Sequence, residues 1–237
     1  MNETVSPEQD GLSVLGSGIV TRAPLSGRRV LIKTLVDDLA GDPVLRARFL
    51  RAAELGMRLS HPNVVRVFEA GIEGRPFVVM DHIDGESLAE RTERIGRLPA
   101  AETLTLATHL AAGLAHAHAS GVVHGALAPH NIVVGHDEVA RIADFGFARL
   151  LRGEGRPSPA DDVYDLALLL RQVGADPLPP GLTTLIDTAT LAEEKPSVFD
   201  FFHHVITITG PPEVWLPPAG VRVADESVMP SLSSAGA

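Results

Sequence analysis

Two short motifs at a fixed separation constrain this chain more than anything else in it. Residues 124–131 read His-Gly-Ala-Leu-Ala-Pro-His-Asn, and Asp144-Phe145-Gly146 begins thirteen residues past Asn131. The Ala/Leu/His run over 100–119 has helical spacing and leads into the first motif; a short apolar strand over 139–143 leads into the second. A helix, a polar loop, a strand and a turn must therefore meet in one local unit. Asn131 and Asp144 admit two readings. As functional groups, they are two oxygen ligands of the kind that suit magnesium. As structural groups, they are hydrogen-bonding residues at a turn and a strand start.

Punctuation and periodicity organise the rest. Residues 16–33 read as two strands around a turn at Ser26-Gly27, and 43–59 as a helix. Residues 64–69 and 76–83 read as strands either side of a hairpin turn at 71–75. Residues 162–173 are apolar enough for a buried helix, and shorter helices are expected over 180–192 and 196–209. Beyond 210 the chain is rich in Pro, Ser, Ala and Gly, the composition of a disordered tail.

These blocks, in this order, resemble the bacterial serine/threonine protein kinases. Val30-Leu31-Ile32-Lys33 is similar to V-A-I-K of the third strand, residues 48–63 to the third helix and the turn after it, and 77–85 to the fifth strand and hinge. Asp162-Val163-Tyr164-Asp165-Leu166 is similar to the start of the central helix of the large lobe. The resemblance implies an α+β, kinase-like bilobal fold, with a lead-in over 1–11, an N-lobe over 12–84, a C-lobe over 85–209 and a tail over 210–237. It implies a nucleotide site made of Gly16, Gly18, Leu31, Lys33, the hinge residues Met80, Asp81, His82 and Ile83, and the magnesium ligands Asn131 and Asp144.

The departures from the family pattern set the functional expectation. In the template H-R-D-L-x-x-x-N the Asp accepts the substrate proton; here that position is Ala126, preceded by Gly125 and followed two residues on by Ala128. Counting back from His61-Pro62-Asn63 puts the helix glutamate that should pair with Lys33 at Ala52. Glu54 lies about 200° further round the helix, so Lys33 is expected to lose the ion pair that orients it. Leu31 replaces the small residue that roofs the adenine. Gly56 falls where the family stacks an apolar side chain, so this helix is expected to be poorly tied to the core. Fifteen residues separate Gly146 from Asp162, too few for a full activation segment, and 174–181 leaves no room for a further substrate-binding helix. Lys195 before Pro196-Ser197 lacks its usual glutamate partner. The resemblance therefore implies a pseudokinase: no enzyme, a regulatory or scaffolding protein with weak ATP and magnesium binding or none. The rival reading is a weakly active or atypical ATP-dependent serine/threonine kinase or transferase.

Composition bounds the partners. A net charge of −10 argues against nucleic acid, which requires concentrated Lys and Arg. Of 20 basic residues only Lys33 and Lys195 are lysines, so a lysine at position 33 stands out. With 0 cysteines there are no disulfides or thiolate metal sites, which suits a cytoplasmic location. Residues 1–10 are polar and acidic, unlike a signal peptide, and no stretch approaches the roughly 18 apolar residues of a membrane span. His116, His118, His124 and His130 lie close in sequence, but the family carries histidines at two of these positions for packing. Phe147, Leu150 and Leu151, interleaved with Arg149 and Arg152, are expected to form an exposed face for a protein partner or a second copy of the chain.

Overall fold

The computed structural model describes residues 3–5, 15–22, 29–147 and 158–209, with backbone placement alone for 3–5, 15–22, 37 and 38. Leu150, Leu151, Arg149, Arg152 and the tail from 210 lie outside the described residues.

An antiparallel five-stranded sheet forms the first lobe. Its strands are β1 (Glu3–Val5), β2 (Leu15–Arg22), β3 (Arg29–Leu35), β4 (Val67–Glu73) and β5 (Arg75–Asp81), in the order β1-β2-β3-β5-β4. Strand β1 falls within the lead-in: Glu-Thr-Val pairs with the edge of β2, with Thr4 opposite Ile19. β4 and β5 form the expected hairpin, turned at Gly74 with φ 71°.

Helix α1 (Asp37–Ala40) is one turn; α2 (Pro43–Met57) is the lobe's main helix. The side chain of Asp42 caps α2 by accepting N–H bonds from Val44 and Leu45, and Pro43 occupies its first turn, where a missing N–H costs nothing. The helix buries Phe49, Ala52, Ala53 and Gly56 against Leu35, Val65, Val67, Val78 and Met80. The expected looseness at Gly56 is thereby corrected. A Cβ there would stand 3.0 Å from Val67 Cγ2, so glycine lets α2 settle closely onto β4.

The second lobe is built on α4 (Ala100–Ala119) and α5 (Pro159–Val173), with α3 (Leu88–Ile95), α6 (Pro180–Leu191) and α7 (Val198–Thr209) around them. A small sheet, β6 (Gly85–Ser87), β7 (Ile132–Gly135) and β8 (Ala140–Ile142), lies at the junction with the first lobe. α3 and α5 each start on a reciprocal capping box, Ser87 with Glu90 and Ser158 with Asp161; such a box satisfies two orphan N–H groups at once. The core of this lobe includes Leu110, Leu114, Ile132, Ile142, Leu166, Leu170, Ile186 and Phe201. The lobes are tied by the segment after α2: Val65 N–H donates to Ile142 O at 2.8 Å, and Asn63 Nδ2 donates to Ala140 O at 3.0 Å.

Lys195, expected to lack a partner, lies with Nζ 4.6 Å from the centre of the Tyr164 ring, a cation–π contact that stands in for the missing carboxylate. Among the described residues no helix is long and apolar enough to cross a membrane.

Candidate functional site

Strand β3 carries Lys33 opposite Gly18 of β2 and Val78 of β5. Its Nζ donates to Asp144 Oδ2 at 2.8 Å, across a separation of 111 residues. This corrects the expectation of an unanchored lysine. The counting argument itself holds: Ala52 is buried, and Glu54 pairs with Arg51 on the exposed side of α2. What it missed is that Asp144 takes the ammonium in the glutamate's place.

Asp144 sits with φ 60°, a left-handed conformation uncommon for a residue with a Cβ, which persists only where the surroundings over-determine it. Here Lys33 grips the side chain, Phe147 N–H donates to Asp144 O at 3.3 Å, and Gly146 N–H donates to His124 O at 3.2 Å. The second carboxylate oxygen, Oδ1, is buried without a hydrogen-bond partner among the described residues. Buried acceptors are rarely left so, and an orphaned carboxylate oxygen is the natural place for a cation.

Asn131 ends a short 3₁₀ turn, Pro129–Asn131, and is itself buried. Its Nδ2 donates to Ala126 O at 3.0 Å, and its own carbonyl accepts from Ala143 N–H at 2.8 Å. The amide's donor end is thus committed, and its oxygen is left as the ligand. Asp144 and Asn131 together offer an all-oxygen set of the kind a hard divalent cation takes. Among the described residues no group of three or more His, Cys, Asp or Glu side chains is gathered to hold a metal.

A buried carboxylate organises the loop between them. Asp162, fully buried at the start of α5, accepts His124 N–H at 2.8 Å on Oδ2 and Gly125 N–H at 2.7 Å on Oδ1. His118 Nε2 donates to the same Oδ2 at 2.8 Å. Two successive N–H groups can face one carboxylate because Gly125 turns with φ 78°, a conformation a side chain would resist. His124 accepts Ala126 N–H on Nδ1 and donates Nε2–H to Ala143 O at 2.9 Å. Burial holds this imidazole below its ordinary pKa, which keeps it in the neutral tautomer that both bonds require. The loop is therefore braced from three sides, yet position 126 presents only a methyl group.

On the opposite side, Leu31 pairs with Met80 across β3 and β5, and both lie with Ile83 on one apolar cluster. The segment after β5 is pinned by Asp81 N–H donating to Arg66 O at 2.8 Å and by an Arg29–Asp84 ion pair at 2.5 Å. His82 Nδ1, 3.6 Å from Asp84 Oδ1, is buried without a hydrogen bond. Lys33 and Asp144 are thus bonded, with Asn131 one backbone hydrogen bond from the residue before Asp144; Leu31 and Met80 are paired across β3 and β5, Asp81, His82 and Ile83 follow Met80, and Gly16 and Gly18 lie in β2 alongside β3.

Phe147 does not join the exposed face expected of it. It is 2% exposed and meets Phe49 of α2 edge to face, ring centres 5.2 Å apart. Placed directly after the Asp144–Gly146 turn, it closes the core under α2.

Comparison with known proteins agrees with this architecture. A family model described as "Protein tyrosine and serine/threonine kinase" matches residues 14–161. A probable serine/threonine-protein kinase of Streptomyces coelicolor is 34% identical over 134 residues, 54% of this chain and 20% of that protein. Serine/threonine-protein kinase PrkC of Bacillus subtilis is 32% identical over 157 residues, 64% of this chain and 24% of its own. The chain therefore spans about a fifth to a quarter of the length of these curated relatives. The crystal structure of the Mycobacterium tuberculosis PknI kinase domain superposes with a TM-score of 0.70 at 25% identity, covering 84% of this chain and 93% of that one. The kinase resemblance and the bilobal α+β fold are borne out. The expectation that the chain is no enzyme is corrected: its relatives are named as serine/threonine-protein kinases, and the loop around Ala126 keeps its bracing despite the lost carboxylate.

Proposed function

The chain belongs to the protein tyrosine and serine/threonine kinase family, and on that premise we propose that it is an ATP- and magnesium-dependent serine/threonine-kinase-type domain of impaired turnover, serving a regulatory role. The observation that carries this reading is Asp144: one oxygen held by Lys33 at 2.8 Å and the other buried with no donor among the described residues. A relic site has no reason to keep a strained, half-satisfied carboxylate.

In this reading Asp144 Oδ1 and the Asn131 side-chain oxygen would hold magnesium, and Lys33, bonded to Asp144 Oδ2, would meet phosphate oxygens. Bound magnesium supplies charge that offsets the charge developing on the transferred group. The chain's residues position and polarise, which is most of phosphoryl-transfer catalysis. Ala126 cannot accept the acceptor hydroxyl's proton, and the loss of a general base costs about 10²–10⁴ in rate. Leu31, packed on Met80, narrows the space available to an adenine and favours weak binding.

The test is a thermal shift with ATP and magnesium on wild type and Asp144→Asn, followed by product analysis with radiolabelled ATP. The expected result is a magnesium-dependent shift at millimolar ATP that Asp144→Asn abolishes, with slow label transfer. Ligand at 100 times its Kd adds about 2.7 kcal/mol, so the absence of any shift at that level rules the reading out.

A further inference from the structure

Helix α4 carries Glu102, Leu106 and His109 on one stripe at helical spacing, and all three line a cavity of about 260 Å³ between α3, α4 and the β7–β8 hairpin. Its floor is apolar, made by the buried side chains of Leu88, Leu98, Leu106, Val134 and Ala140. Side chains that face empty space forgo dispersion contacts on that side, so an apolar body is what this floor lacks. Sites for drug-sized ligands span about 300–1,000 Å³. This cavity is smaller than that range and suits a compact molecule rather than a nucleotide. Thr105 and Glu138 stand exposed at its mouth.

Charge is distributed unevenly around the cavity. Arg91 of α3 donates from Nε to Glu102 Oε1 at 2.5 Å, from Nη2 to Glu138 Oε2 at 2.8 Å and from Nη1 to Glu86 Oε1 at 3.2 Å. One guanidinium is thus divided among three carboxylates. Glu86 has a second cation in Arg94, whose Nε donates to Oε2 at 3.1 Å. The shortfall of positive charge therefore falls on Glu102 and Glu138, the two carboxylates that line the cavity. Each commits one oxygen to Arg91; the others, Glu102 Oε2 and Glu138 Oε1, have no hydrogen-bond partner among the described residues. His109 does not supply the missing cation. Its Nδ1 accepts Ala140 N–H at 3.3 Å, and burial, then nearby Arg141, hold the ring below its ordinary pKa.

We propose that this cavity binds a small primary amine with an apolar body, its ammonium at Glu102 and Glu138 and its hydrocarbon on the floor of Leu98, Leu106 and Ala140. An ammonium carries three donors and no acceptor, which matches two carboxylates that share one guanidinium. Hydrogen bonds between ionised partners are the stronger kind. An anion would meet the same carboxylates as a repulsion, and a neutral ligand of the same shape would gain the floor alone.

The probe is phenethylamine, titrated into the full chain by calorimetry beside phenethyl alcohol, which has the same body without the charge, and hydrocinnamate, which reverses it. The amine should bind at least about tenfold more tightly than the alcohol, the fold-change of one charge-assisted hydrogen bond, and hydrocinnamate should give no saturable heat. Glu138→Gln keeps an oxygen for Arg91 and should weaken the amine toward the affinity of the alcohol. Thr105→Phe fills the mouth and should block both ligands. Glu73→Gln, exposed on β4, is the control and should bind the amine as wild type does. Far-UV circular dichroism checks that each variant is folded. The proposal is overturned if millimolar amine gives no saturable heat, or if amine and alcohol bind alike. It is equally overturned if Glu138→Gln or a folded Thr105→Phe leaves the amine's affinity unchanged, because the amine then binds elsewhere, the nucleotide site included.

Discussion

Lys33 and Asp144, 111 residues apart, form a 2.8 Å ion pair that joins the sheet of one lobe to the turn beside the loop of the other. The lysine neutralises one carboxylate oxygen, and the second is buried with no donor among the described residues. The two charges depend on each other, and removing either leaves its partner uncompensated in a part-buried setting.

The pair is therefore expected to behave non-additively. Lys33→Met should destabilise the nucleotide-free chain by about 1–3 kcal/mol, by stranding Asp144. Asp144→Asn in the Lys33→Met background should recover much of that loss. Urea denaturation of the two single variants and the double variant reads the coupling; additive losses sink the argument.

Restoring a carboxylate at 126 should accelerate label transfer. Asn131 Nδ2 grips the carbonyl of Ala126, His124 Nδ1 accepts its N–H, and Asp162 holds the two residues before it, so an Asp side chain enters a loop already in shape. Ala126→Asp is expected to raise single-turnover transfer at least tenfold, within the range typical of a general base, with ATP affinity little changed. Equal rates in both proteins show that something other than the base limits the reaction.

Phe147→Ala is expected to cost about 3–5 kcal/mol, the usual range for emptying a buried aromatic site, because the ring is 2% exposed and edge-on to Phe49. Chemical denaturation measures this. A loss below about 1 kcal/mol, within the surface range, returns Phe147 to the exposed face that the sequence suggested.

What the sequence disclosed and what it hid divide along physical lines. The helix over 100–119, the helix that begins at Pro43 and the absence of a helix glutamate at Ala52 are local patterns, readable by period and count. The Ser87–Glu90 capping box that starts α3 was equally local, and it was the available signal for a helix that periodicity missed over so short a span. The Lys33–Asp144 pair was not legible, because nothing local at either residue announces a partner across the chain. Phe147 misled because its arginine-rich sequence neighbourhood looks like surface, whereas its burial is set by Phe49 of α2. Asp162 stood between these cases: its place at the start of the central helix was implied by resemblance, and its bonds to His124, Gly125 and His118 appear only in three dimensions.

Acid should loosen the joint between the lobes. His61, in the turn after α2, and His116, on α4, stack with ring centres 5.2 Å apart and planes 25° from parallel. Each ring accepts a backbone N–H: Asn63 donates to His61 Nδ1 at 3.1 Å, and Ser60 donates to His116 Nε2 at 3.2 Å. Protonating either acceptor nitrogen breaks its bond and sets a cation against the other ring. Burial, and then the neighbouring His116, lower the His61 pKa from 6.5 to about 4; burial likewise lowers that of His116. With the folded value depressed, the unfolded chain binds more protons between these limits. The stabilisation is fully present above pH 6.5 and is lost as pH falls toward about 4, where the folded state also takes up the proton. For His61 the loss is on the order of 2–3 kcal/mol after allowance for partial exposure. His61→Asn keeps a side-chain acceptor for Asn63 N–H but cannot titrate, so its unfolding free energy should fall less steeply than that of wild type between pH 7 and pH 4. Parallel stability curves for the two proteins over that range place the acid sensitivity elsewhere in the fold.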